Sequence, residues 1–228
     1  MPCVVVIFVA AVVVIIVVSI IQGRKRRDAL AAFAAQRGLS FSADDPFDIE
    51  DRFEGFSLMG SGHSRGASNV LWGDAGGRRV MLFEYRYKTG SGKHESTHWH
   101  VCCIWTLPVP LADMAIRPEG LFDRMAEWFG QNDIDFESSE FSSRYHVTGS
   151  DRREVYAVIT PRMMEFMLSS DFKYLEVLGE AALVYSGESS LTPQLCEWLL
   201  ALAEGFDRNI PEHVIRDKQG QRSLPHGT

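Results

Sequence analysis

His98, His100 and Cys102 alternate with Trp99, Val101 and Cys103, and His94 stands just upstream. On a β-strand alternate side chains share a face, so two imidazoles and a thiol project together there. That donor set suits zinc. At about 3.3 Å per residue, however, three such side chains spread over roughly 13 Å. One ion reaches all of them only if the strand bends or another element contributes. The plainer reading is a half-exposed sheet, with Trp99, Val101, Cys103 and Trp105 on its core face and the histidines on its wetter face. The sequence therefore assigns no metal and no cofactor.

Three other patterns carry chemical suggestions. Gly62-His63-Ser64-Arg65-Gly66 matches G-x-S-x-G, which holds a nucleophilic serine at a strand-to-helix turn and makes Ser64 a candidate. Here a strand-like run follows, not a helix, so a flexible loop is the stronger reading. Thr89-Gly90-Ser91-Gly92-Lys93-His94 ends like a phosphate-binding loop. It has Tyr87 where a glycine is needed and His94 where Ser or Thr is needed, so it reads as a hairpin loop. Asp133, Asp135, Glu137 and Glu140 gather carboxylates without the glycine of a calcium loop, as a solvated strand and turn would. The assignment of catalytic residues is none.

The elements that must position these groups begin with an uncharged run from Cys3 to Ile21, followed by Arg24-Lys25-Arg26-Arg27. Such a run rises roughly 28 Å as a helix, close to the ~30 Å of a bilayer core. A cleaved signal peptide fits less well, because its charges precede a shorter apolar region. With basic residues only on the C-terminal flank, the positive-inside rule puts the N-terminus outside and residues 24–228 in the cytoplasm. The expected address is thus the inner cell membrane, crossed once, with the lipid bilayer as partner of residues 3–21.

The helix is expected to continue over Asp28–Arg37, burying Leu30, Phe33 and Ala34 and ending at Gly38. Strand-like runs follow at Ser68–Trp72, Arg79–Lys88 and Thr97–Leu107, forming an antiparallel meander. Leu121, Phe122, Met125 and Phe129 then recur at helical spacing. Extended segments are expected at Ile134–Phe136 and Phe141–Val147, and helices over Asp151–Ile159 and after Thr160-Pro161, where Met163, Met164 and Met167 form a packing face. Tyr174–Leu178 and Ala182–Tyr185 read as a hairpin around Gly179. A last helix starts at Thr192-Pro193, with Leu195, Leu199, Leu202 and Phe206 on its buried stripe. The fold class is α+β: one N-terminal transmembrane helix and one cytoplasmic domain built on antiparallel sheet with packed helices. Its parts are an anchor over 1–23, a basic juxtamembrane helix over 24–38, the domain over 39–210 and a polar tail over 211–228.

Charge and cysteines narrow the partners. The 228 residues carry a net charge of −7, and beyond the basic cluster 19 basic side chains face 30 acidic ones. A domain that acidic is not built to neutralise phosphates, so nucleic acid is excluded as a partner. Cys102 and Cys103 are adjacent and point to opposite faces, unsuited to bonding each other. Unpaired cysteines agree with a reducing compartment.

Phe136-Glu137-Ser138-Ser139-Glu140-Phe141-Ser142-Ser143-Arg144-Tyr145, then Asp151, then Thr160-Pro161-Arg162-Met163-Met164-Glu165 resembles an uncharacterised bacterial domain family. Its members carry an ES-x-x-F-x-x-R-[FY] strand, an acidic residue and a TP…ME helix. Asn69-Val70-Leu71, Phe83-Glu84-Tyr85-Arg86-Tyr87 and Thr89-Gly90-Ser91-Gly92-Lys93 are similar to membrane-anchored relatives of that type. The resemblance implies a membrane-tethered domain and brings no catalytic residues. The leading expectation is a non-enzymatic domain that binds a protein or a membrane component. The alternative is a membrane-bound hydrolase or metal enzyme using Ser64 or the His98/His100/Cys102 strand.

Overall fold

The computed structural model describes residues 2–118, 134–170, 172 and 174–223, with side chains between residues 12 and 220. Helix α1 (Pro2–Arg37) turns at Gly38 into strand β1 (Ser40–Asp44). Gly38 has φ +69°, and the amide of Leu39 donates back to the Ala34 carbonyl at 2.8 Å. A left-handed glycine makes this reversal without steric cost. Leu30, Phe33 and Ala34 are buried, at the spacing the sequence predicts.

From Val12 to Ile21 the valines and isoleucines are exposed, and they fall on every side of the helix. Of the expected span 3–21, the side chains of residues 3–11 lie outside the described residues. Among the described residues no helix is long and apolar enough to cross a membrane.

The sheet is antiparallel and runs β1, β2 (His63–Asp74), β3 (Arg79–Thr89), β4 (Ser96–Pro118). β4 is more than twice as long as expected, and it is central. Its first half pairs with β3, and its second half with β5 (Tyr145–Gly149). Along its other edge lies β6 (Tyr174–Ser186), from Ser186 opposite Val101 to Leu175 opposite Ile116. Pro108 and Pro110 sit where the β4–β6 ladder slips between Thr106 and Leu111. Their missing amides therefore fall where pairing is already interrupted. The expected hairpin around Gly179 is instead this one bent strand. Gly179, at φ +55° opposite Leu111, makes a bulge rather than a reversal because both flanking halves pair with the same partner, β4.

Both faces of the sheet are covered. On one, Leu71, Leu82, Val101, Cys103 and Trp105 pack against α1, α5 (Pro161–Ser170) and α6 (Pro193–Asn209). On the other, Val70, Met81, Phe83, Tyr85, Cys102 and Ile104 lie beneath Ile49, Phe56, Leu58 and Met59, from the short helix α2 (Ile49–Arg52) and the turns after it. On the histidine-bearing face, His98 and His100 are half-buried, as expected of a half-exposed strand, and full cover begins at Cys102. Trp99, expected in the core, is 41% exposed near the end of the sheet.

Of the segment Phe141–Val147, expected extended, residues 141–144 belong instead to helix α3 (Ser139–Arg144), because the Ser138 side chain caps it by accepting from the amide of Phe141. The extended part of the family-like motif begins only at Tyr145. α4 (Arg152–Val158) is capped by Asp151, and α6 by Thr192 with Pro193 in its first turn. The polar tail is helical as α7 (Glu212–Ser223), docked by buried Val214 and by Lys218 Nζ at 2.7 Å from Glu154 Oε2. The expected helix around Leu121–Phe129 lies outside the described residues. Leu199 is fully buried in α6. Leu199→Ala is expected to lower the unfolding free energy by about 2–5 kcal/mol in urea titration of the purified protein.

Candidate functional site

The β3–β4 register sets Tyr85 opposite His100 and Tyr87 opposite His98. The Tyr87 ring stacks on both imidazoles, at centroid distances of 4.8 Å to His98 and 5.6 Å to His100. His98 Nε2 lies 2.8 Å from Thr89 Oγ1, and His100 Nδ1 lies 3.2 Å from the Ser186 carbonyl. A carbonyl only accepts, so Nδ1 of His100 carries the proton there. Burial pushes the His100 pKa down, against the pull of that carbonyl, so the ring stays neutral. Cys102 is fully buried, and burial, reinforced by Cys103 and Glu176, drives its thiol well above the ordinary range. Metal binding needs a thiolate, which this setting disfavours. The three residues do share a face, but the two histidines stack on Tyr87 while Cys102 is packed in the apolar core. Among the described residues, no group of three or more His, Cys, Asp or Glu side chains is arranged to hold a metal ion.

Ser64 lies on β2 with φ +51°, an unusual conformation for a serine. Its Oγ is 3.2 Å from Nδ1 of His63, whose Nε2 reaches the Gly90 carbonyl at 3.0 Å. The strand before Ser64 and the helix after it that an elbow requires are replaced by an antiparallel strand. Gly92–His94 forms one 3-10 turn between β3 and β4, the hairpin loop expected for that segment.

Two buried carboxylates, Glu84 and Glu176, and a half-buried one, Asp207, emerge only in the structure. Glu84, in the middle of β3, accepts from Asn69 Nδ2 at 2.7 Å and from the Leu191 amide at 2.7 Å, and pairs with Arg26 Nη1 at 3.2 Å. Arg26 belongs to the basic cluster after the apolar run, so one topology signal is also a structural tie. Asp207 of α6 accepts from Trp105 Nε1 at 2.9 Å and pairs with Arg78 Nε at 2.7 Å, clamping the helix to the sheet. Glu176 accepts from the amide of Ser57 at 2.8 Å and meets its hydroxyl through the other oxygen. A sequence signal existed for two of them. Glu84 and Glu176 each interrupt a strand of apolar residues, Met81–Tyr85 and Tyr174–Leu178, where a lone carboxylate must find partners or be wet.

At the end of the sheet where α1 stops, an open groove of about 520 Å³ lies over Met81 and Ile104. Phe47 and Phe53 form one wall with Arg52, and Trp72 and Arg79 line it from β2 and β3. Phe47 meets Trp72 edge-on at 5.0 Å, and the Arg52 guanidinium lies 5.8 Å and 5.4 Å from the Phe47 and Phe53 ring centroids.

Burial raises the Glu176 carboxyl pKa above its ordinary 4.5, and the two Ser57 hydrogen bonds only partly oppose it. The folded state therefore holds this proton to a higher pH than the unfolded chain. The carboxyl's contribution to stability is full below the unfolded value and falls as pH rises toward the folded one. Glutamine can keep both Ser57 contacts without titrating. Glu176→Gln is expected to gain on the natural protein as pH rises above about 4.5, read from melting temperatures across a pH series. A pH-independent difference would contradict the assignment.

No family model and no curated protein sequence matches this chain. Among solved structures, the crystal structure of the mycobacterial trehalose monomycolate transport factor A, TtfA, is similar. Its TM-score is 0.61 at 14% identity, and the match covers 82% of this chain and 97% of that one. At that identity the likeness shows a shared α+β fold, with antiparallel sheet and packed helices.

Proposed function

We propose that this chain is a non-enzymatic binding domain tethered to the inner membrane by residues 3–21, with residues 24–228 in the cytoplasm, and that it engages a protein or a component of the membrane. The observation that carries this reading is the ring of exposed valine and isoleucine from Val12 to Ile21. A helix apolar on all sides belongs in a core or in lipid, and this one projects away from the core that its own C-terminal half helps to build. The basic side chains that follow belong at the phosphate level of the cytoplasmic leaflet. TtfA, of the same fold, is named a transport factor for trehalose monomycolate. A shared fold with a protein named for lipid transport supports a membrane component as the ligand class here.

One contact favours the hydrolase alternative. Ser64 Oγ and His63 are in hydrogen-bond reach, and the Gly90 carbonyl orients the ring as a triad acid would. A carbonyl brings no full charge to stabilise an imidazolium, which weakens the dyad as a proton acceptor. A fluorophosphonate probe that labels Ser64 would favour that enzyme over the binding domain.

A reporter fused after Thr228 is expected to be active only in its cytoplasmic form, and the protein to resist carbonate extraction from membranes. An active periplasmic-type reporter, or release by carbonate, would overturn the tether. Replacing Arg24, Lys25 and Arg27 with Asn should weaken the orientation bias while sparing the Arg26–Glu84 pair.

A further inference from the structure

We propose that the groove between Phe47, Phe53 and Trp72 binds a single-chain amphiphile with an anionic head, the chain lying on the three rings and the head held by Arg52 and Arg79. The groove is built rather than incidental. Asp45 accepts from the amides of Phe47 and Ile49 at 2.9 Å and 2.8 Å, and Ile49 and Phe56 are buried beneath the wall they carry. Phe47, Arg52 and Phe53 are thus presented by a fixed segment, so little ordering is left for a ligand to impose. The volume of about 520 Å³ falls within the ~300–1,000 Å³ of small-molecule sites, and the floor is apolar.

The head group follows from charge. In a domain whose acidic side chains outnumber its basic ones, Arg52 and Arg79 both line this groove, and neither makes an ion pair among the described residues. Glu180 is the one carboxylate among the lining residues. Cations beside aromatic rings suit an anion whose tail is apolar, and guanidinium suits the planar or tetrahedral oxygens of a carboxylate or phosphate alike. The bulge at Gly179 and the interrupted β4–β6 ladder lie next to Thr106, Glu180 and Ala181, and leave this end of the groove open.

The groove's position adds a constraint. Helix α1 passes Glu84 at Arg26 and ends at Arg37, roughly 17 Å further along, beside the groove end of the sheet. A ligand there has left the bilayer, so the site suits a carried monomer rather than a lipid still in the leaflet. This inference deepens the binding-domain reading; the groove as a site does not need the anchor, and only its use for a monomer outside the bilayer rests on the tether. An inverted reporter would leave the site standing, and the site's own failure would leave the topology intact.

The test is calorimetry on the full chain in lipid nanodiscs, corrected with empty nanodiscs. The probes are octanoate and octyl phosphate for the two head groups, octanol for the chain alone, and acetate and inorganic phosphate for the heads alone. Saturable binding of octanoate, octyl phosphate or both at one site per chain is expected, and their relative affinity distinguishes a fatty acid from a phosphate monoester. The Arg52→Ala, Arg79→Ala double variant should weaken the charged probes about tenfold or more with octanol unchanged, and the Lys, Lys double variant should recover part of the loss. Trp72→Ala should weaken every chain-bearing probe. Absence of saturable binding of both charged probes, equal affinity in the Ala, Ala variant, or acetate and phosphate binding as tightly as the octyl probes would each overturn the proposal.

Discussion

The carboxylate of Glu84 is the tie on which the arrangement of this chain depends. A carboxylate taken out of water costs several kcal/mol unless its oxygens are met by donors. Here the donors come from three separate places: Asn69 on β2, the Leu191 amide before α6, and Arg26 on α1. Asn69 reaches inward because β2 slips its register against β3 between Ser68 and Leu71, where the asparagine takes φ +50°. Asparagine tolerates that left-handed region better than most residues. One buried charge therefore specifies where the N-terminal helix crosses the sheet and where the loop into α6 closes. The specification is not free of cost, since Arg26 Nε and Asn69 Oδ1 are buried without hydrogen bonds among the described residues.

The rest of the architecture follows from β4. It pairs with β3 and β5 in turn on one edge and β6 on the other, so both edges are filled, and the helices and residues 47–59 cover its two faces. Cys102 and Cys103, neighbours in sequence, are fully buried in different halves of the core. Asp207 and Glu176 repeat the Glu84 pattern, each serving as a polar clamp between the sheet and a covering layer.

Most local signals are legible in the sequence, and the pairings that set the length of β4 and the path of β6 are not. The cap at Thr192, the turn at Gly38 and the alternation of Met81, Phe83 and Tyr85 are decided within a few residues, so they are legible. The length of β4 is not, because Pro108 and Pro110 punctuate a strand whose continuity comes from β6. Gly179 looked like a hairpin turn for the same reason: a left-handed glycine marks a reversal or a bulge, and the partner strand decides which. The half-exposed reading holds at His98 and His100 but not at Cys102, because nothing local shows that residues 47–59 cover the strand from there on. Its residues share one face as alternation predicts, yet what the two histidines make there, a stack on Tyr87, depends on register with β3. The groove was not legible at all, since Phe47, Trp72 and Arg79 meet only through the β1–β2–β3 pairing.

Arg26 and Glu84 act as a pair that joins the N-terminal helix to the sheet. A double-mutant cycle with Arg26→Met and Glu84→Gln, read by denaturant unfolding of the full chain, measures that interaction alone. Because Arg26 is 31% exposed, the predicted coupling is at the lower part of the usual range, about 1–2 kcal/mol. Single-variant effects that add to within about 0.3 kcal/mol would contradict it and detach the helix from the domain it is read as holding.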